Sequence, residues 1–248
     1  MKKYTTFLFV LVFSISQLSN AQAAIVAMIF GDKVASEKFN LSMEIGVPFS
    51  SFSNVDDLKM KNGVNFGIAG NLKLSENWYV SPTVYFLSKR TFQLNNTDLH
   101  SNDEYLNSLY MNTRAKTVIS YTDLHVLFSY QLTDSNFRFG LSPQVSFLGK
   151  AKGTYEGTEG ELTQKITDFV NKTDYGVIAN VGYFLRSGHE GKGIIFNLRY
   201  YQGFTDVLKN NFEAGKNKSS YIALHVSLPF LTDELASKNK KPEPVSED

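Results

Sequence analysis

The chain has 248 residues, with 25 basic against 24 acidic side chains and no cysteine. This near-neutral balance argues against nucleic acid as the partner, and the missing thiols exclude disulfide frameworks, thiol catalysis and cysteine-ligated metal. Aromatic residues are plentiful, 13 Tyr and 20 Phe against one Trp, and many lie near the ends of alternating segments, where girdles at membrane interfaces would place them.

The chain opens with Lys2 and Lys3, an apolar run over 7–15 and small residues through 20–23. This is the pattern of a secretory signal peptide over residues 1–23, with cleavage after Ala21 or Ala23. The run falls short of the roughly 20 apolar residues that a spanning helix needs. No later stretch reaches that length, so any membrane crossing is made by strands. Residues 24–38 read as an N-terminal periplasmic segment whose apolar start, 24–30, is expected to cap the mouth of the following domain.

From residue 39 onward the apolar residues recur at every second position, the period of a strand with one greasy face. The first segment, 39–49, sets Phe39, Leu41, Met43, Ile45, Val47 and Phe49 against Asn40, Ser42, Glu44 and Gly46. The second covers about 63–74, and Ser75-Glu76-Asn77 turns the chain into the third, 78–90. The fourth, about 117–132, leads through the turn at 133–136 into the fifth, 137–149. The sixth covers 173–185, a Gly-rich turn at 186–193 leads to the seventh, 194–206, and the eighth covers 219–230. Two of these segments repeat each other: Ser81-Pro82-Thr83-Val84-Tyr85-Phe86-Leu87-Ser88-Lys89 and Ser142-Pro143-Gln144-Val145-Ser146-Phe147-Leu148-Gly149-Lys150.

Short turns alternate with longer connections at about 50–62, 91–116, 150–172 and 207–218. The reading is all-β: an eight-stranded antiparallel up-and-down transmembrane barrel over 39–230, with both termini periplasmic and the four long loops outside. Alternation alone fits a soluble ligand-holding barrel equally well. The polar face decides for lipid outside, because it is mostly Gly, Ser, Asn, Ala and Thr, which suit a narrow interior. Pro82 and Pro143 lie inside strands, where each removes a ladder donor, and a bulge is expected at each.

The chain resembles the small outer-membrane β-barrel proteins of Bacteroidetes-type Gram-negative bacteria, a PorT-like family. The resemblance rests on Gly31-Asp32-Lys33-Val34-Ala35-Ser36-Glu37-Lys38-Phe39, on the two Ser-Pro strands, and on Arg199-Tyr200-Tyr201-Gln202-Gly203-Phe204-Thr205-Asp206-Val207. It implies the fold and the outer membrane, with outer-membrane lipid and the barrel-assembly machinery as partners, and in a few members a protein-secretion apparatus. Two positions depart from the family pattern. His125 stands where proline is common, and the chain continues past the terminal aromatic Phe230 into a polar tail, 231–248, expected to be unpacked and periplasmic.

Inward-facing ionisable residues are Glu44, Asp123, His125, Arg138, Arg199 and His225. Charges enclosed in a narrow lumen need partners, so these six are expected to form a polar network that fills it, with Arg199 balancing Glu44. A gate using His125 and His225 is the functional alternative. The loop set Asp98, His100, Ser101, Asp103 and Glu104 contains the residue types of acid–base chemistry without a known spacing, and the four histidines show no zinc spacing. No cofactor is expected. The function expected is a non-enzymatic structural or accessory barrel, ahead of a narrow gated pore and a lipid A-modifying enzyme.

Overall fold

A computed structural model of the protein describes residues 35–237, apart from 37, 187, 190, 191, 211, 213 and 214. The expected leader over 1–23, residues 24–34 and the tail beyond 237 lie outside the described residues. The sheet comprises β1 (Phe39–Phe52), β2 (Leu58–Lys73), β3 (Trp78–Thr97), β4 (Thr113–Gln131), β5 (Phe137–Gly157), β6 (Gly160–Lys165), β7 (Thr173–Leu185), β8 (Ile194–Asp206) and β9 (Lys218–Pro229). All pairings are antiparallel; eight strands follow one another around a ring that closes β9 onto β1, while β6 pairs only with β5. Closure leaves no open edge in the ring, so every spanning strand has two hydrogen-bonded neighbours.

The ring is inverted relative to a water-soluble domain. On β4 the odd-numbered residues from Ala115 to Gln131, including Asp123, His125 and Ser129, are buried, while Leu124 and Phe128 between them are exposed. Leu141, Leu198 and Leu224 continue the exposed apolar band on β5, β8 and β9. A band of this extent is stable only against lipid.

The prolines and the bulges occupy different places. Pairing lapses beside Pro82 between Ala69↔Thr83 and Leu72↔Val80, then resumes in the same register. Beside Pro143 it lapses between His125↔Gln144 and Phe128↔Leu141, again without a shift. The bulge expected at each proline is thus corrected: a missing donor interrupts the ladder locally but inserts no residue. The extra residues lie further along, in β3 between Tyr85↔Asp123 and Ser88↔Tyr121, and in β5 between Tyr121↔Leu148 and Ser120↔Lys150.

Two of the expected long loops contain strand: 91–97 and 113–116 within 91–116, and most of 150–172. β3 runs on to Thr97, β4 starts at Thr113, and β5 continues into a hairpin with β6; α1 (Glu104–Leu109) occupies the remaining connection. Alternation persists there with its sense reversed, because apolar side chains face inward and lysines outward. Phe92, Leu94, Ile119 and Ala151 from the walls pack with Ile166, Val170, Val207, Leu208 and Phe212 from the loops in one buried cluster. The long-loop end of the ring therefore carries an apolar lid. At the short-turn end, α2 (Asp233–Ser237) follows β9, and Ala236 is buried. The first residues of the expected unpacked tail are therefore folded, with Leu231 and Leu235 lining a cavity of about 330 Å³ beside Tyr79 and Arg138.

Candidate functional site

The lumen holds two charge networks stacked between the lid and the short-turn end. In the first, Arg199 on β8 places Nη2 3.1 Å from Glu44 Oε2 on β1. Ser42 Oγ donates to the other Glu44 oxygen at 3.0 Å, and Arg199 Nε donates to Asn180 Oδ1 at 2.9 Å. The Tyr85 hydroxyl accepts from Arg199 Nη1 and lies 3.2 Å from His225 Nδ1. The rings of His125 and His225 flank that of Tyr85, with centroids 5.4 and 5.5 Å away. Two glycines make this crowding feasible. A β-carbon on Gly46 would lie 2.3 Å from the His225 ring, and one on Gly67 would lie 2.7 Å from the Tyr85 ring and 2.1 Å from the Val84 carbonyl oxygen.

The second network, nearer the lid, centres on Arg90, which is fully buried. Its Nη1 is 2.5 Å from Asp174 Oδ2 and donates to Ser219 Oγ at 2.9 Å, while Nη2 donates to Ser146 Oγ at 2.7 Å and lies 3.7 Å from Asp123 Oδ1. Ser88 donates to Asp123 at 2.7 Å; Tyr201 and Thr205 donate to Asp174 at 2.9 and 2.6 Å. The guanidinium also sits 4.4 Å from the Tyr121 ring centroid and 4.9 Å from that of Tyr201, distances of a cation–π contact. Tyr201 in turn stacks on Tyr221. A planar, always-charged fork is the side chain that can join so many strands at once.

Of the six residues expected in the lumen network, Glu44, Arg199 and His225 meet directly, and His125 joins them through Tyr85. Asp123 lies in the other network with Arg90. Arg138 stands apart near the short-turn end, over the Tyr79 ring at 3.9 Å with its Nε donating to Gln131 at 3.3 Å. The buried ionisable set contains three carboxylates, Glu44, Asp123 and Asp174, and three arginines, Arg90, Arg138 and Arg199. Equal numbers give the interior no net charge from these six.

Sequence reasoning missed Arg90, Asp174 and the tyrosines around them. Asp174 and Tyr201 follow simple inward parity on β7 and β8. Arg90 does not, since strict alternation from Tyr85 sends it outward; the extra residue in β3 brings Ser88 and Arg90 inside. The loop set considered for acid–base chemistry builds local turns instead. Asp103 caps α1 by accepting from Leu106 N at 3.0 Å, Asp98 accepts from Asn112 N at 2.7 Å, and Ser101 donates to Asn107 at 2.7 Å. The His100 ring rests against Phe169 and Phe212.

Solved structures similar to this chain include the attachment invasion locus protein Ail of Yersinia pestis, at 10% identity and TM-score 0.41, covering 79% of this chain and 100% of that one. Neisserial surface protein A is matched at 12% identity and TM-score 0.37, covering 77% and 96%. OprG of Pseudomonas aeruginosa is matched at 11% and 0.36, covering 77% and 93%. No curated protein matches the chain in sequence. The family model described as outer membrane protein beta-barrel domain matches residues 16–209, a span from the leader through β8. With that match over most of its length and an eight-stranded ring with an apolar exterior, the chain belongs to the outer-membrane β-barrel domain family.

Proposed function

We propose that the protein is a non-conducting outer-membrane barrel with a structural or accessory role, a closed scaffold that presents its long-loop end outside the cell to a surface or secretion-associated partner. Both termini and the three short turns are then periplasmic, the arrangement usual for bacterial barrels of even strand number. The observation that carries the reading is the double closure of the lumen. Glu44–Arg199 and the Arg90 cluster bridge the interior at two levels, and an apolar lid that includes Ile166, Val170, Val207, Leu208 and Phe212 lies above them. An eight-stranded ring leaves little space beyond what such side chains fill. Liposomes carrying the protein should not swell in small sugars such as arabinose. Swelling at porin-like rates would overturn the reading.

A narrow gated pore is the second reading. It is favoured by one feature: the lid comes from connecting segments, which can move without opening the ring. In that case, removing the 207–217 connection gives steady conductance.

A further inference from the structure

The repeated segment ends in Phe-Leu-x-Lys in both copies, Phe86 to Lys89 and Phe147 to Lys150. Residues three apart on a regular strand face opposite ways. Here each copy contains the extra residue described above, on β3 and on β5, so Phe and Lys emerge on the same outer face. Phe86 and Phe147 are 49% and 43% exposed, whereas Arg90 and Ala151, next after the lysines, are buried. The two copies flank β4 in matched register, Lys89↔Ser120↔Lys150. The lipid-facing aromatics are thus followed, about 10 Å along the strand at 3.4 Å per residue, by a pair of outward lysines.

The next rows of the ladder add to them. Lys61↔Thr91↔Val118↔Lys152↔Lys165 forms one row, and Lys59↔Gln93↔Lys116↔Thr154↔Thr163 the row beyond. Paired residues share a face, so seven lysines lie on one outer surface of β2 to β6, and these three rows contain no carboxylate. None of the seven forms an ion pair among the described residues. The nearest acids on this face, Glu156 and Glu161, stand one row further out, and Glu156 is paired with Arg114 at 3.1 Å. Lys152 and Lys165 are directly cross-strand, an arrangement of like charges that is unfavourable unless a counter-charge lies between them.

We infer that this lysine face binds the phosphate groups of a phosphorylated glycolipid in the leaflet around the long-loop end. The patch continues directly from the apolar band, which puts it at headgroup depth. Lysine suits that place, since its stem lies along the apolar wall while the ammonium reaches the interface. Phosphates crowded in one leaflet need cations between them, and the rows supply cations at strand spacing. The cellular role rests on the proposed orientation with the long-loop end outside, whereas binding itself is testable without it.

The test uses full-length protein in a neutral detergent, titrated with bisphosphorylated lipid A and read by native mass spectrometry. Wild type should bind the phosphorylated lipid at least tenfold more tightly than the enzymatically dephosphorylated one. Lys89→Gln, Lys150→Gln, Lys61→Gln and Lys152→Gln combined should lose that preference, the same four positions as Arg should keep it, and Lys38→Gln with Lys73→Gln at the other end should leave it unchanged. Equal binding of the two lipids, or of wild type and the Gln variant, would overturn the inference. Inorganic polyphosphate binding as tightly as the lipid would overturn the lipid source in favour of a soluble polyanion. Folding of each variant is checked by the heat-dependent gel shift of a closed barrel. If the Gln variant does not fold, the dephosphorylated-lipid arm on wild type decides.

Discussion

Replacing Glu44 by Gln leaves the Arg199 guanidinium in a site where both side chains are less than 5% exposed. At 3.1 Å and an effective dielectric constant of about 20, the lost attraction is roughly 5 kcal/mol before desolvation is counted. Breaking one partner of a buried pair typically destabilises by about 3–5 kcal/mol. Arg199 retains Asn180 and Tyr85 after Glu44→Gln, so this single change should fall near the lower figure. Arg199→Gln strands the Glu44 carboxylate with Ser42 and a long 3.5 Å contact from Tyr85, and also removes the donors to Asn180 and Tyr85, so it should fall near the upper one. The double variant strands neither charge. Its loss should be smaller than the sum of the singles by about 2–3 kcal/mol, well beyond the few tenths expected of independent sites. Urea unfolding from lipid vesicles for the four proteins gives the cycle. Additivity within about 0.5 kcal/mol would refute the pairing.

Arg90→Gln should destabilise more than Arg199→Gln, because it leaves both Asp123 and Asp174 without their cation; an unfolding midpoint equal to that of wild type would contradict the cluster. Phe92→Ala removes a fully buried ring from the apolar cluster at the long-loop end and should cost about 3–5 kcal/mol, measured by the same urea titration; a loss below about 1 kcal/mol would contradict that packing. Protease added to intact cells should cut within 98–112 or at the β5–β6 turn and not at 133–136; cleavage at 133–136 would reverse the proposed orientation.

The spanning strands were legible wherever apolar outside and small polar inside alternated without interruption. β7 and β8 occupy the segments expected at 173–185 and 194–206, because nothing in them breaks parity. The ends of β3, β4 and β5 at 91–97, 113–116 and 150–157 are not legible as strand, since beyond the lipid band the apolar side turns inward and lysines take the outside, reversing the pattern that marks a strand. The Glu44–Arg199 contact was legible from depth and facing alone. Arg90 was hidden by a single extra residue, which flips the side chains that follow it on β3, from Ser88 to Leu94, to the other face. The packed start of the tail was hidden for a different reason: Leu231, Leu235 and Ala236 are too few to signal a helix, and Ala236 is buried, with the two leucines half-buried, because the barrel mouth is beside them.

Single-channel recording of refolded wild-type protein in planar bilayers, beside the Arg90→Ala, Arg199→Ala double variant, addresses the closed lumen most directly. Wild type should show no steady conductance across ±100 mV, and brief openings should appear only in the variant, whose two bridging side chains are gone. Long-lived open levels in wild type, unchanged by the double substitution, would contradict a lumen closed by these networks.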